Sequence, residues 1–95
     1  MIHEVRVPKL GATMEETELL EWVAKEGEKI EARQVLVVLQ TEKTSYELEA
    51  ANSGILHILT PVNVTIPVTH LIALLADTQE EYEQIKSKVE GSTNG

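Results

Sequence analysis

The chain repeats itself. Shifted by 36 residues, Leu19-Leu20 falls on Ile55-Leu56, Trp22-Val23 on Ile58-Leu59, Ile30 on Ile66, Val35-Leu36 on Leu71-Ile72 and Val38-Leu39 on Leu74-Leu75. Gly27 meets Asn63, the next-best residue for positive φ. Nearer the start the offset becomes 43, with Gly11 on Gly54 and Pro8 on Ala51, so the first half carries seven additional residues, the loop Ala12 to Glu18. A strand module used twice, each copy too small to bury its own face, predicts two halves packed with approximate two-fold symmetry into a sandwich or flattened barrel.

The strands follow from alternation. Val5 and Val7 alternate with Glu4 and Arg6, and Pro8, lacking an N–H, ends the pairing. A loop is expected from Lys9 to Thr17. Leu20, Trp22 and Ala24 then alternate with Glu21 and Lys25 before a turn at Gly27. Trp22, matched to Ile58, is expected to be buried where the halves meet. Val35 to Leu39 is a buried run, and Tyr46 and Leu48 alternate with Glu47 and Glu49 after it. His57 matches Glu21 and so reads as a solvent-facing strand position. His3 and His70 read as structural. From Asp77 the character changes: Thr78 and Glu81 make a capping box, and Tyr82, Ile85 and Val89 recur at helical spacing up to Gly91. The expected division is a β domain over 1–76, a short helix within 77–90 and a flexible tail or linker start over 91–95.

Composition narrows the chemistry. With 95 residues, 42% of them apolar, the chain can bury one small core. It has no Cys, which removes disulfides, thiolate nucleophiles and Cys-based metal sites, so redox chemistry would have to be carried by an attached group. A net charge of −8 disfavours nucleic acid and anionic membranes as partners and favours proteins with basic patches. Without a spanning run or a signal peptide, the expectation is a soluble, cytoplasmic domain. No catalytic triad, phosphate loop or metal-ligand spacing stands out, and the cluster Glu15, Glu16 and Glu18 reads as a solvated loop rather than a metal site.

Between the buried run and the strand after it, Thr41 to Thr44 must reverse the chain, with Glu42 and Lys43 as the central residues of a type I turn. Lys43 would point outward in the link between the two halves. A turn lysine is most often a solvated charge. Its position at the sole protruding tip of a symmetric sandwich, with the chain ends gathered toward the other end, makes it the candidate working residue.

Four motifs then resemble the lipoyl domains of dihydrolipoamide acyltransferases in 2-oxo acid dehydrogenase complexes. They are Val7-Pro8-Lys9-Leu10-Gly11-Ala12-Thr13-Met14-Glu15-Glu16, Glu21-Trp22-Val23-Ala24-Lys25-Glu26-Gly27-Glu28, Gln40-Thr41-Glu42-Lys43-Thr44, and Glu49-Ala50 through Ser53-Gly54, within a match over about Ile2 to Ala76. The resemblance implies an all-β fold, a flattened barrel or sandwich of two four-stranded antiparallel sheets, here followed by the short helix. It implies that Lys43 bears lipoate in amide linkage and serves as a swinging arm, so that the domain is a carrier rather than an enzyme alone. The partners implied are a thiamin diphosphate-dependent 2-oxo acid or acetoin dehydrogenase, an acyltransferase core, the flavoprotein dihydrolipoamide dehydrogenase and the enzyme that attaches lipoate. Around Lys43, the residues Glu42, Thr44, Met14, Glu15, Glu16 and Glu18 would meet those partners.

The chain departs from the family where Arg33 and Thr69, repeat partners, replace a usual central Gly, where Thr17-Glu18 replaces Gly-Thr, and where Glu42 replaces Asp. If Arg33 and Thr69 keep a left-handed backbone, each costs roughly 1 kcal/mol, and β-branched Thr69 more. A biotinyl carrier shares the fold but has Met on both sides of its lysine, unlike Glu42 and Thr44. An unmodified interaction module of the same fold is the third reading.

Overall fold

The computed structural model describes residues 1–9, 15–41 and 44–94, with side chains through residue 87. Among the described residues, eight strands and one helix follow in chain order: β1 Ile2–Arg6, β2 Glu16–Trp22, β3 Lys29–Ile30, β4 Val35–Gln40, β5 Ser45–Glu49, β6 Gly54–Ile58, β7 Val64–Pro67, β8 Leu71–Ala76 and α1 Gln79–Asn94. They form two four-stranded antiparallel sheets, ordered β1-β8-β6-β3 and β5-β4-β2-β7, packed as a sandwich that does not close into a barrel.

The repeat is written into this topology. β1, β8, β6 and β3 correspond to β5, β4, β2 and β7, so the two sheets carry the same order of equivalent strands. Each sheet takes two strands from either half, which is why neither half could bury its apolar face alone. The bonds outside the ladders obey the same symmetry. Arg33 N donates to Ala50 O at 2.7 Å and Thr69 N to Val7 O at 2.8 Å, while Val23 N to Leu36 O and Leu59 N to Ile72 O are a second such pair at 2.8 and 2.9 Å. Equivalent side chains share one core, with Ile30 and Ile66, Leu36 and Ile72, Val37 and Ala73, and Leu39 and Leu75 all buried.

Two expectations are corrected on β2. The loop predicted from Lys9 to Thr17, and from Ala12 to Glu18, ends earlier, because Glu16, Thr17 and Glu18 are already strand and pair with Pro67, Ile66 and Thr65 of β7. Charged residues on an exposed sheet face look like loop when their pairing strand is distant in sequence. The predicted inward set also shifts. The register slips between Leu19 and Glu21, so Thr17 and Leu19 are buried before the bulge, Ala24 is buried after it, and Leu20 is only half-covered. Trp22 is half-buried rather than buried; it packs against the core edge and its indole Nε1 donates to Thr60 O at 2.9 Å.

Arg33, Asn63 and Thr69 have φ of 76°, 63° and 69°, and Gly27 has 79°. The chain thus keeps left-handed turns where it lacks glycine, held by the amide bonds of Arg33 and Thr69 to the neighbouring half. Thr69→Gly is expected to stabilise the domain by about 1 kcal/mol, and Arg33→Gly by about 0.5 kcal/mol, after subtracting the greater freedom glycine has in the unfolded chain. Urea denaturation measures both; no gain at Thr69 would mean the turn carries no strain.

Helix α1 breaks the symmetry. Thr78 Oγ1 accepts from Glu81 N at 3.1 Å, as a capping residue should, but the Glu81 carboxylate reaches Asp77 N and the amino group of Met1 rather than Thr78 N. The helix continues past Gly91, the expected end, to Asn94, so the expected tail over 91–95 is helical through Asn94. It lies over β6 and β8, and this is why His57 is buried and not solvent-facing as the repeat predicts. The alternation places His57 on the outer face of its sheet correctly; α1 covers that face, whereas its match Glu21 stays exposed.

One carboxylate fastens the helix. Glu26 Oε2 accepts from Tyr82 OH at 2.7 Å and from His57 Nδ1 at 2.9 Å, and Oε1 accepts from Ile58 N at 2.7 Å. The Tyr82 and His57 rings meet edge to face at 6.1 Å. Burial pushes the Glu26 carboxyl up, but the bonds from His57, Tyr82 and Ile58 N outweigh it and hold the carboxyl below the ordinary glutamate range. A depressed folded-state value makes this contribution complete above the unfolded glutamate range and lost as the pH falls through the range below it. Glu26→Ala is expected to cost about 1–2 kcal/mol, moderated by the partial exposure of the carboxylate, and to remove that acid-side loss. Amide exchange of α1 in the wild type at neutral and acid pH, and in the variant, checks this; an equally protected helix in Glu26→Ala would show that packing alone docks it.

Candidate functional site

The β4–β5 hairpin carries the candidate. Val35 to Leu39 supplies a run with Leu36, Val37 and Leu39 wholly buried, which anchors β4 in the middle of its sheet between β2 and β5. Pairing runs to Gln40 opposite Ser45, so the reversal occupies Thr41 to Thr44 as predicted. Glu42 and Lys43, its central residues, lie outside the described residues, as does the assignment of a type I turn to them. What the structure places is the frame on either side. Thr41 N donates to Thr44 O at 2.7 Å, and Thr44 N donates to Thr41 Oγ1 at 3.0 Å. Thr44 in the neck, and Ser45, Tyr46 and Glu47 where β5 leaves it, are exposed. The described residues on both sides of the turn thus leave the neck open to solvent on the β5 side.

The two-fold relates this corner to the one where the chain begins. Thr41 and Thr44 correspond to Asp77 and Met1, and Asp77 N donates to Met1 O at 3.1 Å as Thr41 N does to Thr44 O.

Of the predicted neighbours, Thr44 is in the neck. Glu18 stands opposite Gln40, which in turn stands opposite Ser45, so Glu18 shares a cross-strand row with the base of the hairpin. Glu16 is exposed one turn of the pleat further along β2, and the Glu15 carbonyl accepts from Val68 N at 2.9 Å. Met14 lies outside the described residues, together with Ala12 and Thr13 of the predicted loop. Sequence reasoning missed Thr17 and Gln40. Thr17 is buried and its hydroxyl donates to the Gln40 carbonyl, tying β2 to the hairpin neck. A hydroxyl at an otherwise apolar inward position was the signal for it. Among the described residues no helix is long and apolar enough to cross a membrane.

Comparison with known proteins agrees with this geometry. The model of the biotin/lipoyl family, described as biotin-requiring enzyme, matches residues 3–75. The dihydrolipoyllysine-residue acetyltransferase component of the pyruvate dehydrogenase complex of Rickettsia felis is 36% identical over 93 residues, covering 96% of this chain and 23% of the relative. The corresponding component of Zymomonas mobilis is 36% identical over 84 residues, 86% of this chain and 19% of the relative. Component 5 of the chloroplastic complex of Arabidopsis thaliana is 34% identical over 88 residues, 92% of this chain and 19% of the relative. The chain thus spans about a fifth of the length of these curated relatives.

Proposed function

We propose that this chain, which belongs to the biotin- and lipoyl-attachment family, is a lipoyl carrier whose Lys43 takes lipoate in amide linkage. The observation that carries the reading is the hairpin itself: a neck closed at Thr41 and Thr44, on a strand anchored in the core, leaves a two-residue tip that contains Lys43. Lipoate is favoured over biotin because the relatives are named dihydrolipoyllysine-residue acetyltransferases and because Glu42 and Thr44, not methionines, flank the lysine.

When bound, lipoate supplies a dithiolane able to accept an acyl group together with two electrons, a capacity that a chain without Cys lacks. The chain's own contribution is mechanical and electrostatic. The neck holds the two ends of the turn, amide formation removes the charge of the lysine, and the exposed residues Thr44 to Glu47 leave room for an arm to swing. Held on one tether, such an arm meets successive active sites at high effective concentration. The partners we assign are a thiamin diphosphate-dependent 2-oxo acid dehydrogenase, an acyltransferase core and dihydrolipoamide dehydrogenase, with Glu15, Glu16 and Glu18 on the approach to the tip.

Incubation with a lipoate ligase, lipoate and ATP tests the reading: intact mass should rise by one lipoyl increment. Incubation with a biotin ligase should leave the mass unchanged. Preference for biotin, or no modification at all, sinks the assignment.

A further inference from the structure

We propose that Gln40 and Thr41 form a side-chain clamp that sets the direction in which the tip leaves the hairpin, which makes them positioning residues for attachment at Lys43. The inference rests on the lipoyl-carrier reading and adds to it residues on the near side of the turn. In an ordinary four-residue turn, the carbonyl of the first residue accepts from the amide of the fourth. Here that bond is rerouted through side chains. Thr44 N donates to the Thr41 hydroxyl at 3.0 Å, and the hydroxyl donates onward to Thr44 O at 2.6 Å. The hydroxyl is used as acceptor and donor at once, so it has one orientation. The Thr41 carbonyl is taken instead by Gln40 Nε2 at 2.9 Å, and the same nitrogen reaches Thr44 O at 3.2 Å.

Gln40 can do this because its amide nitrogen carries two hydrogens and can bridge two carbonyl oxygens. A glutamate there would bring only acceptors against the same two carbonyls. The Gln40 backbone is fixed in turn, by pairing with Glu18 and Ser45 and by the Thr17 hydroxyl on its carbonyl. Both peptide groups that bracket the tip are thereby referred to β2 and β4, which are rigid because their inward residues are core. An enzyme joining an acyl group to the lysine must align an amine with an activated carbon, and small errors of placement are costly in such a step. A clamp on Thr41 and Thr44 fixes both ends from which the lysine is presented to such an enzyme.

The test uses the whole chain, a lipoate ligase, and the variants Thr41→Val, Thr41→Ser and Gln40→Glu. Valine keeps the shape of threonine and removes both hydroxyl bonds, so kcat/KM for lipoylation should fall about tenfold, carried by kcat, with Tm close to wild type. Gln40→Glu should behave alike. Serine restores the hydroxyl and should restore the rate to within about twofold. Amide exchange at Thr44, read with no ligase present, should quicken in Thr41→Val. If kcat and Thr44 exchange in Thr41→Val both match wild type, the clamp is overturned. If Thr44 exchange quickens but wild type is never lipoylated, the carrier reading and the positioning role fall together. A loss of rate in Thr41→Ser equal to that in Thr41→Val would also overturn it, because shape rather than hydrogen bonding would then be responsible.

Discussion

Replacing Lys43 by arginine is expected to abolish lipoyl attachment and leave the fold unchanged. Amide formation needs an amine that can lose a proton and attack an activated acyl group, and a guanidinium, protonated at any pH the domain survives, cannot do so. The chain offers other lysines, at 9, 25, 29, 86 and 88, but none lies in the two-residue tip between Thr41 and Thr44. The loss should therefore be complete, not partial. Stability should move by no more than about 0.5 kcal/mol, the usual range for surface substitutions away from special backbone features. Intact mass after ligase treatment and a urea curve on the same sample decide both halves. A retained increment in Lys43→Arg would move the site to another lysine, and a large drop in stability would mean that the tip packs against the body.

Leu39→Ala should give the largest structural effect, a loss of about 3 kcal/mol within a range of about 2–5 kcal/mol. Leu39 is fully buried, opposite Leu19 on β2 and Tyr46 on β5, one residue before the end of the strand that leads to the hairpin. Domains of this size have about 5–15 kcal/mol in total, so the variant would be partly unfolded near its melting range. The symmetry sharpens the prediction. Leu75 occupies the equivalent place on β8 and is equally buried, so Leu75→Ala should cost about the same. Only Leu39→Ala should also slow lipoylation of the folded fraction, because only β4 carries the tip. A cost under about 1 kcal/mol at Leu39 would mean that the cavity collapses without penalty. Trp22, the largest side chain, is the weaker choice for such a test, since it is half-buried at the core edge and held by Thr60 O.

The tandem pattern of apolar residues was sufficient to determine the strand plan, the pairing of equivalent core positions and the place of the reversal before and after Lys43. Those features depend on period-two alternation and on an internal repeat, both of which are local and countable along the chain. The tertiary structure alone decided what depends on neighbours distant in sequence. Glu16 to Glu18 became strand because β7, almost fifty residues later, pairs with them. His57 became buried because α1 crosses the outer face that alternation had correctly assigned to it, and Glu26 became the fastening for that helix because a turn, a strand and a helix meet at one carboxylate. The hairpin neck is the same case at short range. Alternation shows which face a side chain takes, but it does not encode whether an exposed Gln40 or Thr41 will spend its hydrogen bonds on water or on two particular carbonyls; that is settled only when the folded backbone brings those carbonyls within reach.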